Sequence, residues 1–263
     1  MLAYYSSGNP ANPMVVLLHG FCDSSVTWVD LANHLNNRYF VVAIDNLGHG
    51  LSPRFSSQQL QDPFQSCVTA VRDTLQYLIK LYGKTPVAIG HSMGGAIFSV
   101  LAGTTPQLFA GLVVEDPAWL SPIKRQEFIA NADAGFEQSK IWRDDPNLTV
   151  AHIAHDRPAW NNDQRFAWAL SKAQVDPRLV RTGVVTFTEP WQDVAQKIAV
   201  PTLVITSNTD SVLIGEEGIA AIHKLANHNL STEIVPNVDH SVRLSDPQTY
   251  DRIVDHWLAQ LLK

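Results

Sequence analysis

At 263 residues, 45% hydrophobic and 17% charged, the chain has room for one large α/β domain with a continuous core. Its net charge of −6 argues against a partner held mainly through phosphates, and no apolar run approaches the ~18 residues that a membrane span needs. Two cysteines, Cys22 and Cys67, make neither a metal-ligand spacing nor a disulfide framework, so neither a metal nor a cofactor is expected. Met1–Gly8 lacks the basic region and apolar core of a secretory signal, which points to a cytoplasmic location.

Six short runs rich in Val and Ile read as strands: Met14–Leu18, Tyr39–Ile44, Pro86–Ile89, Gly111–Glu115, Thr202–Thr206 and Thr232–Val235. Helix-like stretches separate them, which predicts βαβ units and a mostly parallel central sheet flanked by helices. Asp62-Pro63 supplies an N-cap and a first-turn proline, and Phe64, Val68, Val71, Leu75 and Leu78 then share one face up to Gly83. Asp246-Pro247 repeats that start before Tyr250, Ile253, Val254, Trp257, Leu258 and Leu261. The stretch 118–192 has no convincing strand but holds five of the seven tryptophans, and it reads as a helical lid inserted into a core of residues 1–117 and 193–263. Most of its rings are expected to pack the insertion onto the core. Trp119, Phe136, Trp142 and Trp160 are the candidates for lining an apolar pocket.

Residues 90–94 read Gly-His-Ser-Met-Gly between the short apolar run Pro86–Ile89 and a helical run from Gly95. A strand, a tight turn and a helix with serine at the apex make a nucleophile elbow, and side chains two positions either side of the serine would collide with its neighbours. Ser92 then needs a base and a group to orient it. Of ten histidines, His240 sits best, in the loop after the last strand run, where ligand chemistry gathers in a parallel sheet. His91 is expected to be aimed away by the turn, and His19 to bond within its own loop. The orienting acid is placed at Asp210, after Thr202–Thr206, with Asp116, after Gly111–Glu115, as the rival. Two backbone N–H groups, of Phe21 and Met93, are the expected oxyanion donors, each worth about 2.7–4 kcal/mol. Gly20 allows the turn before Phe21, and Cys22, with no elbow around it, is expected to be inert.

With these residues in hand, the chain resembles the α/β-hydrolase superfamily over nearly its full length. The likeness is carried by His19-Gly20-Phe21, by Asp45-Asn46-Leu47-Gly48-His49-Gly50-Leu51-Ser52, by the elbow, and by Asp210 and His240 in order. It implies an α/β-hydrolase fold with a Ser92–His240–Asp210 triad, no cofactor, and a loop at 45–52 that shapes the fold. The short N-terminus implies seven strands. His240-Ser241-Val242-Arg243 is similar to the segment that follows the base in bacterial esterases and lactonases, including N-acyl homoserine lactone hydrolases; Asp239 stands where glycine often precedes the histidine. The resemblance implies a serine carboxylic ester hydrolase acting on small apolar acyl or aryl compounds. Lactone, thioester, amide or carbon–carbon bond cleavage would use the same residues, and a non-turnover ligand receptor could keep them too. A serine nucleophile excludes the aspartate-based dehalogenase and epoxide hydrolase chemistries of this fold.

Overall fold

Met14–Leu18 is buried along its whole length, and its side chains part to two sides: Met14, Val16 and Leu18 join one apolar cluster, Val15 and Leu17 another. A strand that is apolar on both faces belongs inside a parallel sheet covered by helices on both sides. The computed structural model, which describes residues 1–262, shows that arrangement. Its strands are β1 (Tyr4–Ser7), β2 (Met14–Leu18), β3 (Phe40–Ile44), β4 (Val87–His91), β5 (Gly111–Glu115), β6 (Thr202–Thr206) and β7 (Leu230–Ile234), in the sheet order β1-β3-β2-β4-β5-β6-β7. All neighbours are parallel except β1, which pairs antiparallel with β3, Tyr4 opposite Ile44.

All six strand runs agree with the sequence reading to within two residues. The sixth, at Thr232–Val235, begins earlier, at Leu230. β1 was not legible, because an edge strand reading Tyr-Tyr-Ser-Ser is only half-buried and carries no apolar run.

The helices follow in chain order: α1 (Val29–Leu35), α2 (Pro63–Tyr82) and α3 (Met93–Thr104), then α4 (Pro122–Ala130), α5 (Ala132–Asp144), α6 (Pro146–Asp156), α7 (Asn162–Ala173), α8 (Pro177–Val180) and α9 (Trp191–Lys197), and finally α10 (Gly215–His223), α11 (Val242–Ser245) and α12 (Pro247–Leu261). α2 begins and ends as its sequence dictates. The Asp62 carboxylate accepts the Gln65 N–H, and Gly83 closes the helix at φ +68°. Its stripe of Phe64, Val68, Val71, Leu75 and Leu78 is buried, each side chain worth about 1.5–3 kcal/mol relative to exposure. α2, α3 and α9 contribute to the first apolar cluster, α1 and α12 to the second. No described helix is long and apolar enough to cross a membrane.

Between β5 and β6 the described residues form helices α4–α9 and no strand. α5, α6 and α7 pack on one another, and α7 also packs against the turn Ser25–Trp28 that follows β2. Among the polar contacts that join this insertion to the C-terminal edge of the sheet are Lys172 to Asp23, Arg157 to Asp239, and the Trp160 indole N–H to Ser245 Oγ at 3.0 Å.

Two glycines separate steric need from its absence. A Cβ at Gly94 would stand 2.3 Å from the carbonyl oxygen of Leu18, whereas one at Gly135, inside α5, would meet nothing within 4 Å. Gly94→Ala should therefore destabilise by about 3 kcal/mol through overpacking against fixed backbone. Gly135→Ala should stabilise by about 0.5–1 kcal/mol by removing a glycine from a helix interior. Urea unfolding of both variants checks the pair of signs.

Candidate active site

Ser92 caps α3 with φ 52° and ψ −117°, a left-handed conformation that a serine holds only under constraint. The constraint is visible. Its N–H donates to Glu115 O at 3.0 Å, and its carbonyl accepts from Ala96 and Ala118 at 3.0 Å each. At Gly90 a Cβ would come within 2.8 Å of Gly94 C and Gly95 N, so the elbow closes only with glycines at 90 and 94. Across from it, a Cβ on Gly20 would lie 3.0 Å from Ser92 Cβ, which puts the loop after β2 in van der Waals contact with the serine.

That loop is held by two buried neutral histidines. His19 Nδ1 donates to Gly20 O at 2.8 Å and its Nε2 accepts from Asn46 N; His49 Nδ1 donates to Leu47 O at 2.9 Å and its Nε2 accepts from Cys22 N at 3.3 Å. Both rings need an unprotonated Nε2 to do this. Burial lowers both pKa values, that of His49 to about 3, with His19 beside it adding to the shift. The N–H groups of Phe21 and Met93 make no hydrogen bond among the described residues. Cys22 is buried and its thiol is pushed up to about 12 by that burial, so it is no nucleophile at neutral pH. The 45–52 loop is braced both within itself and against the turn after β2. The Asp45 carboxylate accepts from Ser25 N and Leu51 N, and Ser52 Oγ donates to Asp45 O.

His240 is where the sequence places it, in the loop between β7 and α11, but its acid partner is not. The sequence reading pairs it with Asp210; in the structure His240 Nδ1 donates to Asp116 Oδ2 at 2.5 Å. Asp116 follows β5 with φ 37° and is fully buried. Its Oδ1 also accepts from Thr206 Oγ1 at 2.7 Å and Ile214 N at 3.0 Å, and its Oδ2 from Leu213 N at 2.8 Å. Asp210 is exposed and makes no side-chain hydrogen bond among the described residues. The physical reason lies in the loop after β6. It turns Asp210 out to solvent and then returns, so that the N–H groups of Leu213 and Ile214 reach the carboxylate of Asp116 on the neighbouring strand.

His91 is not aimed away, as its place in the elbow suggested. Its ring packs on that of His240 at 4.6 Å between centroids, and its Nε2 donates to His240 O at 3.1 Å. Burial first, then Arg243 and His240, lower its pKa well below the ordinary histidine value, so it is neutral. Ser92 Oγ makes no hydrogen bond to His240 among the described residues. The loop carrying His240 is anchored on both sides. Asp239 pairs with Arg157 and accepts from Ser241 N at 2.8 Å. Arg243 pairs with Glu115 at 2.8 Å, donates its backbone N–H to the same carboxylate and stacks over Trp28 at 3.9 Å. Arg243 thus fastens the loop to the residue beside Asp116, and burial raises the Glu115 pKa against the lowering effect of that arginine.

The four aromatic pocket candidates divide. Trp142 lines a cavity of about 620 Å³ together with Phe21, Phe128, Gly135, Lys172 and Gly183. Phe136 packs against Cys22 and Val180 under the Arg181 guanidinium. Trp119 belongs to the main core, stacked on Trp191 and donating to Ser99 Oγ, and Trp160 to a cluster with Ile153 and Leu244. Core packing explains both. Asp23, Lys172 and Arg157 have no sequence signal, since each meets its partner only through tertiary contact.

The buried histidines make stability depend on pH. His49 stays neutral in the folded protein to about pH 3, whereas the unfolded chain protonates it near 6.5. Stability is therefore unaffected by this residue above pH 6.5 and falls as pH drops below it. His49→Gln should lose about 2 kcal/mol less than the parent protein between pH 7 and pH 5, as read by urea unfolding at the two pH values.

The comparisons with known proteins agree with this fold. An (E)-2-((N-methylformamido)methylene)succinate hydrolase from Acinetobacter baylyi is 24% identical over 97% of this chain and 94% of its own. Lipase LipV of Mycobacterium tuberculosis is 28% identical over 84% of this chain and 83% of its own. The crystal structure of an E-2-(acetamidomethylene)succinate hydrolase superposes with a TM-score of 0.79 at 18% identity, covering 98% of this chain and 95% of that one. The alpha/beta hydrolase family profile matches residues 15–253, and the chain belongs to that family.

Proposed function

We propose that the protein is a serine hydrolase that cleaves carboxylic esters of apolar acyl or aryl groups through an acyl-enzyme, with Ser92 as nucleophile, His240 as base and Asp116 as the orienting acid. The observation that carries the reading is the His240–Asp116 hydrogen bond, made by a carboxylate with three further donors, beside a serine held in a left-handed elbow. Asp116 fixes the tautomer with hydrogen on Nδ1, which leaves Nε2 free to take the Ser92 proton. Substrate binding brings Nε2 and Oγ into hydrogen-bond reach, as catalytic contacts tighten in the Michaelis complex. Ser92 Oγ attacks the carbonyl carbon, and the N–H groups of Phe21 and Met93 receive the oxyanion. As the tetrahedral intermediate collapses, the imidazolium gives its proton to the leaving alkoxide. Water then attacks the acyl-enzyme, losing its proton to the same nitrogen, and the acid departs from Ser92.

The helical insertion of 118–192 serves as the cap of this site, and the cavity that Phe21 shares with Trp142 and Phe128 is the acyl pocket. Both of its lysines are already paired, which favours an uncharged substrate over the diacids named for two of the similar proteins. Lys172 is engaged by Asp23 and the Cys22 carbonyl, and Lys124 lies 3.8 Å from Glu127. Gly135 lines the cavity without a packing reason to be glycine, which identifies it as the residue that keeps the pocket long.

Three outcomes are expected. A graded panel of p-nitrophenyl esters and lactones should show turnover, with Ser92 labelled by a fluorophosphonate and Ser92→Ala inactive. Failure on every member, with no labelling, would favour a ligand receptor on this scaffold. Asp116→Asn should lower kcat by about 10⁴-fold while Asp210→Asn stays within about twofold; a larger loss in the second variant would restore the other acid. Gly135→Leu should depress kcat/KM for long acyl esters while sparing acetate, and an equal effect on all lengths would remove the cavity from the acyl site.

A further inference from the structure

We infer that Lys172, carried by α7 of the insertion, is a positioning residue for the oxyanion hole; this rests on the reading given under Proposed function. Lys172 is almost wholly buried, and each direction of its ammonium is taken. It donates to Cys22 O at 2.7 Å and to Asp23 Oδ1 at 2.7 Å, and it lies 4.0 Å from the centroid of the Trp168 ring. None of its donors is left for a substrate. A buried ion pair is seldom needed for stability, because apolar residues of the same volume do as well. Here the pair's direction matters.

Cys22 has φ 59°, a left-handed conformation that its side chain disfavours. It is held from both ends: its N–H donates to His49 Nε2, and its carbonyl accepts from Lys172 Nζ and, at 3.2 Å, from Ser171 Oγ. The Phe21 N–H belongs to the Gly20–Phe21 peptide, whose carbonyl accepts from Asp23 N at 3.3 Å and from His19 Nδ1 at 2.8 Å. Lys172 holds the carbonyl of the Cys22–Asp23 peptide, whose N–H is the one bonded to Gly20 O, so the cation helps to fix the plane that carries the donor. Burial pushes the Asp23 carboxyl up, but the Lys172 ammonium bonded to it outweighs that and keeps the group ionised. One cation on the insertion therefore helps to set the oxyanion loop.

The test compares the full chain with Lys172→Met, Lys172→Arg and the double variant Asp23→Asn/Lys172→Met. Steady-state kinetics on p-nitrophenyl butyrate are read beside inhibition by an alkyl trifluoromethyl ketone, whose adduct with serine places an oxyanion in the hole. Lys172→Met should lower kcat by about tenfold to a hundredfold, part of the loss from deleting a donor outright, with KM within about twofold. The ketone Ki should rise by the same factor as kcat falls, and Lys172→Arg should recover most of both. A folded Lys172→Met with unchanged kcat and Ki overturns the inference, as does a raised KM at constant kcat. If Lys172→Met fails to fold, the double variant, which leaves no buried charge unpaired, is read by the same criteria; a double variant that also fails to fold assigns the pair to the scaffold and overturns it. Parent protein that neither turns over esters nor binds the ketone defeats the underlying hydrolase reading, and this one with it.

Discussion

A carboxylate sealed from water must find hydrogen bonds for both oxygens, and Asp116 finds four. Thr206 Oγ1, the Leu213 and Ile214 N–H groups and His240 Nδ1 converge on it from three separate segments. Each donor lowers the cost of burying the charge, and each is brought by a different part of the chain: the end of β6, the loop returning from it, and the loop beyond β7. Removing the carboxylate would leave four donors unsatisfied. The C-terminal edge of the sheet is organised around that one group, and the position of His240 follows from it.

Strand adjacency explains why this works. β4, β5 and β6 lie side by side, so Ser92 and Asp116 stand at the ends of neighbouring strands, and the Ser92 N–H is bonded to Glu115 O. Glu115 in turn holds Arg243, which fastens the His240 loop from its other side. The helical insertion is tied into the same region by charged contacts through Lys172 and Arg157 and by the Trp160 indole. Its contacts fall on the loop after β2 and the segment that carries His240. Motion of α6 and α7 relative to the core would therefore change the geometry of both, which gives the insertion a direct mechanical link to the chemistry proposed for this site.

What sequence could reveal divides along physical lines. The elbow was legible because its pentapeptide is a local signal, although the space that Gly94 leaves empty is filled from the other side by Leu18 and His19 at the end of β2. α2 and α12 were legible because Asp-Pro starts and 3.6-residue stripes are local signals. His19 was rightly read as bonding within its own loop. Asp210 was a sound guess from strand order, since it follows a buried strand in the expected sequence of parts, but the loop after β6 could have turned either way. Its direction is decided by backbone donors, which leave no trace in side-chain identity. Arg243 carried a motif without its reason. Asp23 and Lys172, about 150 positions apart, carried no signal at all, because only tertiary packing makes them partners.

The claim on which the rest depends is that Asp116, not Asp210, holds the His240 ring. Proton NMR in the low-field region reads that contact directly, because a proton shared between an imidazole Nδ1 and a buried carboxylate resonates far from all others. The account predicts such a resonance in the parent protein, kept in Asp210→Asn and lost in Asp116→Asn. A resonance that survives in Asp116→Asn and vanishes in Asp210→Asn would contradict it.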